Sequence, residues 1–415
     1  MNRTFNFVEG AWPRNGGVGI ACVPKIGQSL AANGAAVVLV SGGPAPPGYG
    51  SVALRAVPTV TRTSNGPGSF GILSLRSWGK YAFAPSVFRR VGLRVRNTDV
   101  IALHSVYSFP VLAGYLLARL WRKPYVLWPH GVLSPFMRRI GRRKKWIYDK
   151  LIARRILKGA SAVICTGEGE RRETLALGLT DRTVVIPHGV SLKSFESLPE
   201  RGRFRSQHLH GAQGPLILYL GRLAAVKNLE LLIRAFARVS RSVPEARLAL
   251  IGPPDPPSFE TTVRNWLSEH GVATHTVVTG PITDLRLKQE ALVDADLFVM
   301  PSHTENFCNA LFEAMATGLP CVVSDCLNYA AEVADRGAGL AVPRDPELFA
   351  GAIVNLLSNP ALRTKMGKNA RELVTDYSWE KSGERLARTL GSILARRPLP
   401  KDLIGERPPE LELAQ

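Results

Sequence analysis

The sequence predicts an α/β protein made of two Rossmann-like domains, with two parallel sheets facing a central cleft. Three observations predict it. Short β-branched or apolar runs alternate with helical patterns along most of the chain, and such alternation implies parallel sheets covered by helices on both faces. A polar stretch rich in Gly, Pro, Arg and His, residues 196–214, separates two such series and reads as a linker. The length, 415 residues, suffices for two or three domains, each with a full core.

In the first domain, 1–195, strands are expected at AAVVLVS (35–41), VIALH (100–104), YVLWP (125–129), SAVIC (161–165) and RTVVIP (182–187). A strand before the Gly-rich stretch is hard to place, because Trp12, Pro13 and Arg14 crowd it. In the second domain, 215–378, the strands are LILYLG (216–221), RLALIG (247–252), HTVVTG (275–280), DLFVMPS (296–302) and LPCVVSD (319–325). Between the first two, Leu229, Leu232, Ile233 and Phe236 recur on one helical face. A last amphipathic helix, 379–396, is expected to return to the N-terminal domain, and the Pro- and charge-rich segment 397–415 reads as a disordered tail. No internal repeat is present.

Composition narrows the function classes. With 45% apolar and 21% charged residues the chain is globular, neither fibrous nor disordered. The five cysteines (Cys22, Cys165, Cys308, Cys321, Cys326) are scattered without CxxC spacing, which argues against a disulfide framework or a structural zinc and fits a reducing cytosol. The start, MNRTFNFVEG, has no apolar run of a secretory signal. The uncharged stretch from Val100 to Ala118 is long enough to span a bilayer, but His104 and Pro110 make it a buried strand followed by a helix. The net charge of +20 is lopsided: residues 1–200 carry 28 Lys and Arg against 9 Asp and Glu, so an anionic partner is expected there.

Ligands of open parallel sheets sit beyond the carboxyl ends of the strands, so the strand ends carry the chemistry. One ends in Gly221-Arg222 and is followed by Lys227 and a helix; a guanidinium and an ammonium near a helix start suit a diphosphate. Another ends in Pro301-Ser302, and Glu305-Asn306-Phe307-Cys308-Asn309 then opens a helix that reaches Glu313 and Gly318. Eight residues on a helix separate Glu305 and Glu313 by about 12 Å, comparable to the two sugar rings flanking a diphosphate. Taken singly these are ordinary features: loop charges beside a helix, glutamates on a solvated face. Their order is not ordinary. Arg222 and Lys227, the strand end Thr279-Gly280-Pro281-Ile282, the Glu pair and Gly318-Leu319-Pro320 occur in sequence, and the pattern resembles the retaining family-4 glycosyltransferases of the GT-B fold.

That resemblance implies roles for individual residues. Glu305 would contact hydroxyls of the donor sugar, Glu313 the nucleotide ribose, Arg222 and Lys227 the diphosphate, and the Ile282 backbone the nucleobase. Gly221, Asn306, Phe307, Cys308 and Asn309 would complete the donor site, with Gly16 and Gly17 from the Gly-rich loop. Cys308 stands where the family usually has Gly and so bears on which donor fits. His130, in WPHG, matches the family's cleft histidine and joins Glu305 as a catalytic candidate; His104 reads as structural, and Glu170 and His188 lie in family-typical elements. No metal and no cofactor besides the nucleotide sugar are expected. The pair Asp294-Ala-Asp296 sits at the amino end of its strand, away from the ligand edge, and reads as structural.

The segment MRRIGRRKKWIYDKLIARRILK, 137–158, carries ten Lys and Arg with Trp146, Ile147, Leu151, Ile152 and Ile156 at helical spacing. A solvated basic face or a nucleic-acid patch would look similar, but basic and apolar residues together suit an anionic membrane surface. The expectation is a cytoplasmic glycosyltransferase, peripheral on the inner face of the membrane, that moves a hexosyl group to a saccharide or lipid-linked saccharide in exopolysaccharide or lipopolysaccharide assembly. The alternatives are a same-fold sugar-nucleotide epimerase and a basic nucleic-acid-binding protein. A dinucleotide oxidoreductase would need GxGxxG, which Gly16-Gly17-Val18-Gly19 does not supply.

Overall fold

The computed structural model describes residues 3–7, 22–41, 68–75 and 83–405, and within them the chain forms two compact units, Met1–Gly189 with Trp379–Gln415, and Val190–Ser378. The first unit holds strands β1 (Arg3–Phe7), β2 (Ala36–Ser41), β3 (Ser69–Ser74), β4 (Val100–His104), β5 (Tyr125–Trp128), β6 (Ala162–Cys165) and β7 (Thr183–Val185), in the order β3-β2-β1-β4-β5-β6-β7. The second holds β8 (Leu216–Leu220), β9 (Arg247–Ile251), β10 (Thr276–Gly280), β11 (Leu297–Met300), β12 (Cys321–Ser324) and β13 (Gly339–Val342), in the order β10-β9-β8-β11-β12-β13. Every pairing between these strands is parallel. Strand order therefore reverses twice, between β1 and β4 and between β8 and β11, and such switch points are where open α/β sheets take ligands.

The apolar runs become central strands because both faces are covered. All residues of β4, β5, β8 and β11 are buried. The helix Leu229–Ser242 buries Leu229, Leu232, Ile233 and Phe236 as its spacing predicts. The stretch expected to be strand plus helix is β4 followed by Phe109–Leu120, and among the described residues no helix is long and apolar enough to cross a membrane. The helix Trp379–Leu394 packs on the helix Val23–Ala32 of the first unit, with Trp379, Leu386 and Leu390 buried.

Two expectations are corrected. Residues 196–214 are no free linker: they carry the helix Arg203–His208, and Phe204 is buried in the core of the second unit. Arg205 anchors that segment, bonding the carbonyls of Ala212 and Gly214 and the Asp296 carboxylate at 2.9, 2.6 and 3.0 Å. The front of the supposed tail is also ordered, because Leu403 of the helix Lys401–Ile404 is buried against the first unit and Asp402 forms a bidentate pair with Arg388 at 2.7 and 2.9 Å. Residues 406–415 lie outside the described residues.

Candidate active site

The carboxyl ends of β8 and β11 bring most of the expected donor residues to one switch point. Gly221 follows β8, and a Cβ there would come within 2.9 Å of the Tyr219 hydroxyl, which donates to the Arg222 carbonyl at 2.8 Å. Gly252, at the end of β9, lies so close that its own Cβ would meet the Gly221 carbonyl at 1.9 Å. Only glycines permit this tight approach. The turn then presents Arg222 and, through a short 3-10 segment Ala225–Lys227, the Lys227 ammonium.

Lys227 forms an ion pair with Glu305, and the two side chains are only 14% and 11% exposed. The Ser302 hydroxyl, directly after β11, donates to the same Glu305 oxygen at 2.7 Å. Glu305 is therefore aimed by two donors from two different strand ends. Arg222 pairs with Asp255, which sequence reasoning did not single out, but at 43% and 50% exposure that pair is held weakly. Glu313 is bound by Lys288, a second unexpected partner, at 2.8 and 2.9 Å to its two oxygens. Lys288 comes from the helix Leu285–Asp294, so no local sequence pattern links it to Glu313.

The helix carrying Glu313 begins at Asn309, so Glu305 belongs to the preceding loop and the 12 Å estimate from continuous helix does not apply. At its N-cap Cys308 takes a left-handed backbone, φ +49°, unusual for a side chain with a Cβ. Burial, then the nearby Glu305 charge, pushes the Cys308 thiol up, so it is no thiolate nucleophile. Both amide atoms of Asn306 are buried without a hydrogen-bond partner. Asn309 is half-buried at the first position of the helix, whose positive dipole end faces this loop. Phe307 departs from expectation: its side chain is in the core, stacked on Phe312 with ring centres 4.2 Å apart, and it leaves only backbone for a ligand. Ile282 follows the turn at Gly280 (φ +74°) and packs half-buried on the core of the second unit.

Asp294 and Asp296 are at the amino end of β11. Asp294 accepts from the Gly202 and Arg205 amides, and Asp296 from Arg201, Arg205 and the Leu216 amide, at 2.6, 3.0 and 2.8 Å. They tie the segment before β8 to the sheet.

The first unit carries His130 at the end of β5. His130 has φ +55° and is followed by Gly131 at φ +76°; the buried Glu170 holds this turn by accepting the Gly131 amide at 2.6 Å and the Thr166 amide at 2.7 Å. His104 and His188 lie beside it, with ring centres 5.2 and 5.4 Å from that of His130. Burial lowers the pKa values of His104 and His188 to about 3 and that of His130 well below its ordinary value. Gly16 and Gly17 lie outside the described residues.

On the same unit, the segment 137–158 forms the helices Pro135–Arg139, Arg142–Tyr148 and Arg154–Gly159, joined by a π-helical turn at Asp149–Ala153. Ile156 is buried, but Ile140, Trp146, Ile147 and Leu151 are each more than half exposed among exposed arginines and Lys150.

Residues 200–373 match the family described as Glycosyl transferases group 1, and residues 16–194 match Glycosyltransferase Family 4. A D-inositol 3-phosphate glycosyltransferase of Kineococcus radiotolerans is 28% identical over 323 residues, 70% of either chain. A GDP-mannose-dependent alpha-(1-6)-phosphatidylinositol monomannoside mannosyltransferase of Mycolicibacterium smegmatis is 30% identical over 286 residues, 63% of this chain and 74% of the relative. Among solved structures, Anabaena HepE in complex with UDP and glucose superimposes with a TM-score of 0.72 at 18% identity, over 94% of this chain and all of that one.

Proposed function

The chain belongs to the group 1 glycosyltransferases, and from that premise we propose that it moves a hexosyl group from a nucleotide diphosphate sugar to a hydroxyl of a saccharide or lipid-linked saccharide, with retention of configuration and without a metal. One observation carries the reading: Lys227, Ser302 and Glu305 converge at the β8/β11 switch point, beside the start of the helix Asn309–Ala316. A diphosphate laid there meets an ammonium, a guanidinium and a helix dipole, which together can stabilise the charge that develops as the nucleotide leaves. The unpaired Asn306 amide and the aimed Glu305 carboxylate suit vicinal sugar hydroxyls. Glu313, held by Lys288, suits a ribose. The relatives' printed donors and acceptors, GDP-mannose and inositol compounds, support a sugar nucleotide and a polyol or lipid-borne hydroxyl.

Retention follows from front-face displacement. The bond from the anomeric carbon to the diphosphate oxygen breaks as the bond to the acceptor oxygen forms on the same face, and the departing phosphate oxygen takes the acceptor proton. His130 is the remaining catalytic candidate in this reading. The basic and apolar surface of 137–158 docks on anionic lipid, which places a lipid-linked acceptor at hand in cell-surface polysaccharide assembly.

A panel of nucleotide sugars and acceptors, followed by NMR of the product's anomeric proton, tests this. The expected result is transfer with the donor's anomeric configuration, undiminished by excess chelator. Inverted product, loss of rate with chelator, or turnover of the sugar nucleotide without any acceptor overturns the corresponding part.

A further inference from the structure

The first sheet divides its side chains between two cores. Ile101, Leu103, Tyr125 and Leu127 point to one face, and Val100, Ala102, Val126 and Trp128 to the other. The helices Ser86–Val95 and Phe109–Leu120 cover the first face together with Ile156 and Leu157 of the segment 137–158. The helices Val23–Ala32 and Trp379–Leu394 cover the second. Among the described residues of the first unit, every exposed large apolar side chain belongs to the first layer: Phe83, Phe88, Leu93, Leu116 and Leu120 join those of 137–158.

Leu93 and Leu120 are 75% and 67% exposed. The Trp121 indole holds them at one end of the helix pair by donating to the Gly92 carbonyl at 2.7 Å. The same helices and the turns after them carry exposed Arg89, Arg90, Arg96, Arg119 and Arg122. Between Glu9 and Asp149 the sequence holds a single acid, Asp99. The patch is also continuous with 137–158. The Tyr148 hydroxyl donates to the Val106 carbonyl at 3.1 Å, and the Tyr107 hydroxyl to Asp149 at 2.9 Å. Two residues on, Phe109 meets Phe83 and Phe88 edge-on, with ring centres 4.7 and 6.2 Å away. The loop after β4 therefore ties both patches to one strand end.

An exposed apolar patch among cations with almost no acid marks an interface rather than a solvated face. A second copy of this chain would set the same arginines against one another. A nucleic acid would pair its phosphates with them but leave Leu93 and Leu120 in water. An anionic bilayer meets both features, because headgroup phosphates take the guanidinium groups while leucine and phenylalanine enter the acyl boundary. We propose that the helix pair Ser86–Val95 and Phe109–Leu120 is a second docking surface for an anionic lipid bilayer, so that the first unit lies on the membrane by one whole layer. The joint footprint rests on the docking of 137–158 proposed above; the helix pair's own contact does not.

Flotation of the full chain with vesicles of phosphatidylglycerol and phosphatidylcholine at low salt tests the two contacts separately. Leu93→Ser combined with Leu116→Ser and Leu120→Ser should lower the affinity about tenfold or more, because two patches on one bilayer reinforce each other. Adding Trp146→Ser, Ile147→Ser and Leu151→Ser should abolish binding. In Leu120→Trp, brominated lipid should quench more tryptophan emission than in the parent. Should the leucine triple fold poorly by circular dichroism, Leu120→Trp quenching and the affinity of Arg119→Gln with Arg122→Gln decide the same question. Parent-like affinity in the leucine triple, no added quenching in Leu120→Trp, or tighter binding of a single-stranded RNA than of the vesicles overturns the inference. No vesicle binding by the parent overturns both contacts. A loss confined to the leucine triple, with the Trp146, Ile147 and Leu151 triple binding as the parent does, sinks docking through 137–158 and leaves this surface standing.

Discussion

Lys227 and Glu305 form one largely buried contact that the proposed reaction would use as well as the fold. Both side chains are largely buried, so removing one strands the other: Lys227→Met should destabilise the second unit by about 3 kcal/mol in chemical unfolding and lower kcat/KM by about 100-fold or more. Arg222→Ala should separate the two effects. Its pair with Asp255 is half-exposed, so stability should change by less than about 1 kcal/mol while KM for the sugar nucleotide rises severalfold. Equal stability losses in the two variants would contradict the assignment. The histidines give a pH signature. Because the folded pKa values of His104 and His188 are lowered from 6.5 to about 3, the unfolded chain binds protons over that interval that the folded rings refuse. Stability of the first unit is therefore complete above pH 6.5 and falls as pH drops below it. Thermal scans at roughly pH 8, 6 and 4.5 should show its midpoint dropping across the last two, and a flat midpoint would refute burial of neutral rings.

The helix Trp379–Leu394 is an element whose fit depends on a single missing side chain. A Cβ at Gly383 would come within 2.8 Å of both the Cβ and the carbonyl oxygen of Ser29, so Gly383→Leu should prise the helix from Val23–Ala32 and cost roughly 1–3 kcal/mol. Calorimetry in which only the first unit's transition shifts would agree; a shift confined to the second would not. The packing helix itself was legible, because its apolar residues repeat at 3.6. So were the central strands, whose runs of Val, Ile and Leu are buried on both faces. Strands β1, β3 and β13 were not, since RTFNF lacks the continuous apolar run of the central strands, SFGILS contains a glycine, and GLAV is half Gly and Ala. Of the candidate site, the placement of Arg222, Lys227 and Glu305 after strand ends, and of Glu313 on the helix that follows, was readable from their order. Their partners Asp255 and Lys288, the inward turn of Phe307 and the histidine pair were not, because each depends on contacts between residues far apart in sequence.

At the scale of the molecule, charge and apolar exposure coincide on the first unit. Ile140, Trp146, Ile147 and Leu151 stand clear of the surface among basic residues, each of which is worth about 1 kcal/mol near anionic lipid. The full chain should cosediment with vesicles containing phosphatidylglycerol at low salt and be released at high salt. Trp146→Ser combined with Ile147→Ser and Leu151→Ser should weaken binding while leaving soluble-acceptor transfer intact; retention on vesicles at undiminished affinity would exclude this surface. The division of the chain into Met1–Gly189 with Trp379–Gln415 and Val190–Ser378 has a further consequence, for biosynthesis. The second unit is contiguous, and its ends meet: the Val190 amide donates to the Tyr377 carbonyl at 2.7 Å. On the ribosome it can mature as soon as residue 378 emerges, whereas the half translated earlier stays uncapped until the closing helix is made, so a nascent chain depends longest on chaperones for the part synthesised first.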